Sequence, residues 1–169
     1  MTMLSPVYIA VGSNLGDRSL TIRAAFAALR AGPVLDDVVI SGLWETAPVG
    51  PIAQPNFLNA AIVASSSRTP AEILSFLFGI EASLGRQRRT ERRFGPRTLD
   101  LDLLMVGDCV MDTDYVVLPH PRLHERAFVL DPLCELAPTL HHPTLGLTMA
   151  ELRAMLPPHT FSQPVPVPP

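Results

Sequence analysis

Two aspartates two residues apart, Asp100 and Asp102, sit inside an otherwise apolar run, `RTLDLDLLMV` (residues 97–106). Side chains alternate faces along a strand, so Thr98, Asp100 and Asp102 share one face, while Leu99, Leu101 and Leu103 line the other. The two carboxylates are then about 6.6–6.8 Å apart along the chain. Leu104 returns to the aspartate face, which suggests a half-buried cleft. Like charges in a cleft repel unless a cation neutralises them. Hard cations such as Mg²⁺ take oxygen ligands, typically one or two carboxylates completed by substrate phosphates. An ordinary amphipathic strand with its polar face in water is the alternative.

The segment just before this strand, `GRQRRTERRFGPR`, carries six of the chain's 13 arginines (Arg86, Arg88, Arg89, Arg92, Arg93, Arg97), and there is no lysine. Guanidinium forks match phosphate oxygens bidentately. Arginines running into a carboxylate pair suit polyphosphate transfer, the carboxylates holding Mg²⁺ and the arginines the terminal charges. Neither GxxxxGK[ST] nor GxGxxG occurs, so a nucleotide would be held in another way. No nucleophile triad is evident. Gly12-Ser13-Asn14 follows an apolar run and reads as a turn. Phe57 and Asn59 alternate onto one face, as do Arg126 and Phe128; the two aromatics suit a sandwich around a flat heterocycle or a pair of core side chains.

These residues must be positioned by a compact α/β scaffold. The chain has 169 residues, 47% hydrophobic and 17% charged, which fits one well-packed domain. A net charge of −3 argues against a general nucleic-acid binder. Cys109 and Cys134 have no metal-type spacing and read as reduced thiols of a cytoplasmic protein. The longest charge-free run, residues 46–67, is too broken by proline, glycine and asparagine to span a membrane. Residues 6–12 form a strand, and Ile22, Phe26 and Leu29 mark a helix stopped at Gly32-Pro33. `DDVVISGLWETAP` and `NFLNAAIVASS` are strands joined by a long Pro- and Gly-rich loop. Thr69, Pro70 and Glu72 open a second helix with a capping box. Asp131-Pro132 is expected to start a third helix, and Thr148 with Glu151 caps a fourth. The order β-α-β-β-α-β is that of a ferredoxin-like sandwich with a largely antiparallel sheet. One domain is expected over residues 1–156, with residues 157–169 an extended or disordered proline-rich tail.

Taken in order, `YIAVGSNLGDR`, `ETAPVGPIAQPNFLNAA`, `FGPRTLDLDLL` and `LPHPRLHERAFVLDPLCELAP` resemble the 6-hydroxymethyl-7,8-dihydropterin pyrophosphokinase family over Val7 to Pro138. The resemblance implies transfer of pyrophosphate from ATP, as co-substrate, to the pterin hydroxymethyl group, giving AMP and the pterin diphosphate in folate biosynthesis. It implies that Asp100 and Asp102 hold two Mg²⁺ ions, with Arg86 and Arg97 beside them in catalysis. ATP contacts fall to Glu81, Arg88, Arg93, Arg97, Leu103, His120 and Arg126. The pterin contacts are Gly12, Thr46, Pro48, Val49, Phe57, Asn59 and Phe128. Loops around residues 12–14, 47–55 and 86–96 would close over the substrates. Phe78 stands where the family pattern has a polar ATP contact, Phe94 where it has tryptophan, and the arginine loop carries one extra residue. A soluble monomer with small-molecule substrates, and neither nucleic acid nor membrane as partner, is expected. The rivals are a two-metal phosphohydrolase, which needs more acidic ligands or a base than Asp108 and His120 offer, and an RNA-binding ferredoxin-like module, whose `GFxFV` signature is absent.

Overall fold

The computed structural model describes residues 4–86, 95–157 and 162–166. A sheet ordered β5-β1-β4-β3-β8 runs through the molecule, with β2 also paired to β4. Its members are β1 (Ser5–Ser13), β2 (Asp36–Ile40), β3 (Trp44–Thr46), β4 (Phe57–Ser66), β5 (Asp100–Val106) and β8 (Ser162–Pro164). Every pairing in it is antiparallel. A small hairpin, β6 (Met111–Asp112) with β7 (Val117–Leu118), follows β5. Helices α1 (Arg18–Ala31), α2 (Pro70–Ser83), α3 (Ala127–Leu136) and α4 (Met149–Ala154) complete the chain. Treating β2 and β3 as one interrupted strand gives the expected ferredoxin-like arrangement. The interruption is bridged at Ser41, whose N–H donates to the Ala61 carbonyl while its hydroxyl accepts from the Ala61 N–H.

Two cores lie on opposite faces of the sheet. Ile9, Ile62, Leu99, Leu101 and Leu103 pack with Ile22, Leu29, Ile73 and Leu77 from α1 and α2. On the other face Ala61, Leu104 and Met105 pack with Val129, Leu130 and Leu133 of α3 and Leu152 of α4. The aspartate strand is therefore buried on both sides, and its leucines need both layers. The capping boxes at Thr69–Glu72 and Thr148–Glu151 both form, satisfying helix N-terminal N–H groups. Among the described residues no helix is long and apolar enough to cross a membrane.

Two elements differ from the sequence expectation. Helix α3 starts at Ala127, not at Asp131-Pro132: the Arg126 carbonyl accepts from the N–H groups of Val129 and Leu130, and Pro132 sits inside the helix. Proline there removes the N–H that would bond the Phe128 carbonyl. Arg126 and Phe128 consequently flank a helix N-terminus and do not alternate along a strand. In the tail, residues 162–164 form β8 on the outer edge of β3, with Trp44 opposite Pro164 and Thr46 opposite Ser162. The Val165 N–H donates to the Leu43 carbonyl, and its side chain packs on the core. Proline suits an edge strand because it need not donate. Residues 162–164 are thus bound along the sheet edge.

Candidate active site

Register places the chemistry-bearing side chains on one sheet face. Gly12 of β1 lies opposite Asn59 of β4 on one side and Asp100 of β5 on the other. The next row on that face pairs Ala10 with Ala61 and Asp102. Two small residues thus form a floor between the carboxylates and Asn59. A Cβ added at Gly12 would stand 2.9 Å from Asn59 Oδ1, so only glycine leaves that oxygen its place. The N-terminus of α3 provides the roof. One cleft is lined by Gly12, Thr46, Phe57 and Asn59 at one end and by Arg97, Asp100, Asp102 and Arg126 at the other, with Phe128 above. The strand alternation that put Phe57 with Asn59 and Asp100 with Asp102 is what the structure shows.

Asn59 is buried, and its Nδ2 donates to Thr46 Oγ1 at 2.6 Å. That bond fixes the amide, leaving Oδ1 over Gly12. Val49 lines the cleft from the loop after β3, whereas Pro48 is not among its lining residues. The Arg126 guanidinium lies 5.5 Å from the Phe128 ring centroid, a cation–π distance. Its Nη1 is 3.4 Å from Asp102 Oδ2.

Asp100 is gripped harder. Arg86 Nη1 donates to its Oδ1 and Arg97 Nη1 to its Oδ2, both at 2.5 Å. Burial works to raise the Asp100 carboxyl, but the Arg97 and Arg86 guanidiniums outweigh it and hold it below the usual range. Asp102 goes the other way, pushed up to about 6 by burial and then by the Asp100 charge, against the pull of Arg126. The two carboxylates are thus perturbed in opposite directions, Asp100 by its two arginines and Asp102 chiefly by burial. Burial lowers Arg126, with Asp102 opposing, and holds His120 down to about 4 with Arg126 adding to the effect. His120 is thus neutral near neutral pH.

Glu81 does not line the cleft. It is buried, and its Oε1 accepts from the Leu101 N–H at 2.7 Å and from Arg86 Nη1 at 2.5 Å. It anchors β5 and Arg86. Leu103 turns its side chain into the core. The His120 N–H is tied to the Leu104 carbonyl. Phe78, where a polar contact was expected, packs edge-on against Tyr115 with centroids 6.4 Å apart. Arg88, Arg93 and Phe94 lie outside the described residues.

Two residues escaped the sequence reading. Arg122 lines the cleft; its signal was a further arginine between histidines in `HPRLHER`. Gln54 also lines it, and its Oε1 accepts from Asn14 Nδ2 at 2.9 Å.

A family model described as 7,8-dihydro-6-hydroxymethylpterin-pyrophosphokinase (HPPK) matches residues 8–138. The chain belongs to the HPPK family. A Bacillus subtilis 2-amino-4-hydroxy-6-hydroxymethyldihydropteridine pyrophosphokinase is 44% identical over 129 residues, 76% of each chain. The Pseudomonas aeruginosa protein of the same name is 40% identical over 155 residues, covering 92% of this chain and 94% of that one. Solved HPPK-DHPS structures share the fold. One, a complex with substrates, superposes at TM-score 0.69 with 12% identity, covering 90% of this chain and 43% of the other. Wild-type Plasmodium falciparum HPPK-DHPS with STZ-DHP gives 0.68 with 14% identity, covering 91% and 42%. The chain thus spans about two-fifths of those longer proteins and matches an HPPK domain.

Proposed function

We propose that this cleft performs the HPPK reaction: transfer of pyrophosphate from ATP to the hydroxymethyl oxygen of 6-hydroxymethyl-7,8-dihydropterin, releasing AMP, in folate biosynthesis. The observation that carries the reading is one continuous cleft with an aromatic, amide-bearing end and an end of paired carboxylates and arginines. In it, Phe57 and Phe128 hold the flat pterin, and Asn59, oriented by Thr46, reads its amide edge, with backbone at Pro48 and Val49 closing the pocket. Gly12 keeps the floor open between the two ends.

Asp100 and Asp102 fit Mg²⁺: both are oxygen donors that line one wall of the cleft. Two carboxylates suit Mg²⁺, whose coordination substrate phosphates and water would complete. Two bound Mg²⁺ ions would neutralise charge on the polyphosphate during transfer. Arg97, Arg86 and Arg126 supply phosphate contacts, joined by Arg88 and Arg93. The attacking oxygen belongs to the substrate, so positioning and charge neutralisation are what the side chains must provide. Leu103, through its backbone, and His120, as a neutral hydrogen-bonding group, would frame the nucleotide end, and Glu81 would act on the nucleotide through Arg86. The protein is read as a cytoplasmic monomer with small-molecule substrates; its two free cysteines support a reducing compartment.

The test is turnover of Asp100→Ala and Asp102→Ala. Losing a carboxylate of the metal clamp is expected to lower the rate roughly a thousandfold or more while the fold persists. Activity within about tenfold of the parent would overturn the assignment.

A further inference from the structure

We infer that Arg86 and Arg97 are stand-in cations, occupying the Asp100 carboxylate until metal-bound nucleotide displaces them. Each oxygen of Asp100 is taken by a different guanidinium, Oδ1 by Arg86 and Oδ2 by Arg97. A carboxylate held on each oxygen by a guanidinium already has its charge compensated, which weakens its pull on a cation. Asp102, by contrast, meets Arg126 at the longer distance of 3.4 Å. The two acids of the pair therefore begin with different contacts, Asp100 bridged by two guanidiniums and Asp102 touched by one at longer range.

Glu81 makes this a built arrangement and not a chance surface pair. The Arg86 side chain is 6% exposed and that of Glu81 1% exposed, so the two opposite charges are buried side by side. A single Glu81 oxygen accepts from both Arg86 and the Leu101 N–H, tying the guanidinium to the strand that carries Asp100. When Arg86 leaves Asp100, Glu81 keeps one counter-charge beside it, so the arginine can turn without becoming an uncompensated buried cation. Arg97 has a different hold. Its backbone is fixed by Asn14, while its side chain is 25% exposed and faces the cleft. Triphosphate supplies both the anion that these arginines prefer and the metal that replaces them on Asp100. The metal then enters with the nucleotide, because alone it must break two charge-assisted bonds and gets no phosphate in return. Glu81 is, in this scheme, a positioning residue for Arg86.

The inference rests on the metal reading of Asp100 and Asp102, and its test separates the two. Mn²⁺, a paramagnetic substitute for Mg²⁺, is titrated into the nucleotide-free protein and followed by electron paramagnetic resonance. The parent protein is expected to bind it weakly. Arg97→Gln, which empties one oxygen of Asp100 without stranding a buried partner, should tighten Mn²⁺ binding about tenfold or more. Arg86→Met should do the same wherever its thermal unfolding shows an intact fold. Adding Asp100→Asn to Arg97→Gln should cancel the gain. Unchanged or weaker Mn²⁺ binding in Arg97→Gln would overturn the inference, as would tight binding to the nucleotide-free parent. The metal reading is checked separately with Mn²⁺ and a non-hydrolysable ATP analogue: Asp100→Asn should abolish tight ternary binding, and if it does not, reading and inference fall together.

Discussion

Asn14 and Arg97 bind each other twice: the Arg97 N–H donates to Asn14 Oδ1 at 2.7 Å, and the Asn14 N–H donates to the Arg97 carbonyl at 3.1 Å. Asn14 Nδ2 also donates to Gln54 Oε1 and to the Pro55 carbonyl, at 2.9 and 3.1 Å. One buried amide thus joins the end of β1, the loop before β4 and the entrance to β5. Asn14→Ala should cost about 2–3 kcal/mol of stability, since it strands buried polar partners. It should also lower kcat/KM for both substrates, because both ends of the cleft lose their anchor. Thermal unfolding with steady-state kinetics checks this; an effect on one substrate alone would contradict it.

Asp102 gives a pH signature. Its carboxyl is raised from 3.8 to about 6, by burial first and the Asp100 charge second. The folded state therefore holds this proton more tightly than the unfolded chain. Its contribution favours folding fully below about pH 4 and is lost as the pH rises through about 6. Above that, ionised Asp102 is a cost. Asp102→Asn should stabilise the nucleotide-free protein by about 1–2 kcal/mol near pH 7.5, a value discounted because 30% of the side chain is exposed. The gain should fade toward pH 4 while turnover is lost at every pH. Denaturant melts across that range decide; a destabilised variant near pH 7.5 would refute the charge assignment.

Phe57 and Phe128 approach the cleft from a strand and from a helix start. Each should contribute on the order of 1–3 kcal/mol to pterin binding if base-on-aromatic stacking is a fair guide. Phe128→Ala should then weaken pterin binding roughly tenfold or more and leave binding of an ATP analogue nearly unchanged. Equal losses for both ligands in calorimetric titrations would make Phe128 a core residue only.

Gly12→Ala tests the floor. The added methyl meets Asn59 Oδ1 at 2.9 Å and Phe57 Cδ1 at 3.7 Å, so the amide must turn away from its bond to Thr46. Pterin affinity should fall by about tenfold or more, with much less effect on nucleotide binding. An unchanged pterin dissociation constant would show that Asn59 does not need that space.

What was legible in the chain follows from how local each signal is. The facing of Asp100 with Asp102 needs only strand alternation, and Thr69 with Glu72 needs only a four-residue cap. Helix α3 was misplaced because Asp131-Pro132 is the usual mark of a helix start, and a buried helix shows no polar face to say otherwise. Packing against Ala61 and Leu104 decides it. The anchoring of Glu81 on Leu101 and Arg86, and of Asn14 on Arg97, joins residues up to 83 positions apart, which no local pattern encodes. For the tail, proline content pointed to extension, but the open edge of β3 that receives it exists only once the sheet is formed.

The central claim is pyrophosphoryl transfer supported by metal on the aspartate pair, and product analysis tests it most directly. The protein is incubated with ATP and 6-hydroxymethyl-7,8-dihydropterin, first with a chelator and then with excess Mg²⁺, and nucleotides and pterins are separated by chromatography. The account predicts no reaction under chelation, then AMP and pterin diphosphate appearing in equal amounts with no ADP. Release of ADP or inorganic phosphate as the main product, or an undiminished rate under chelation, would contradict it.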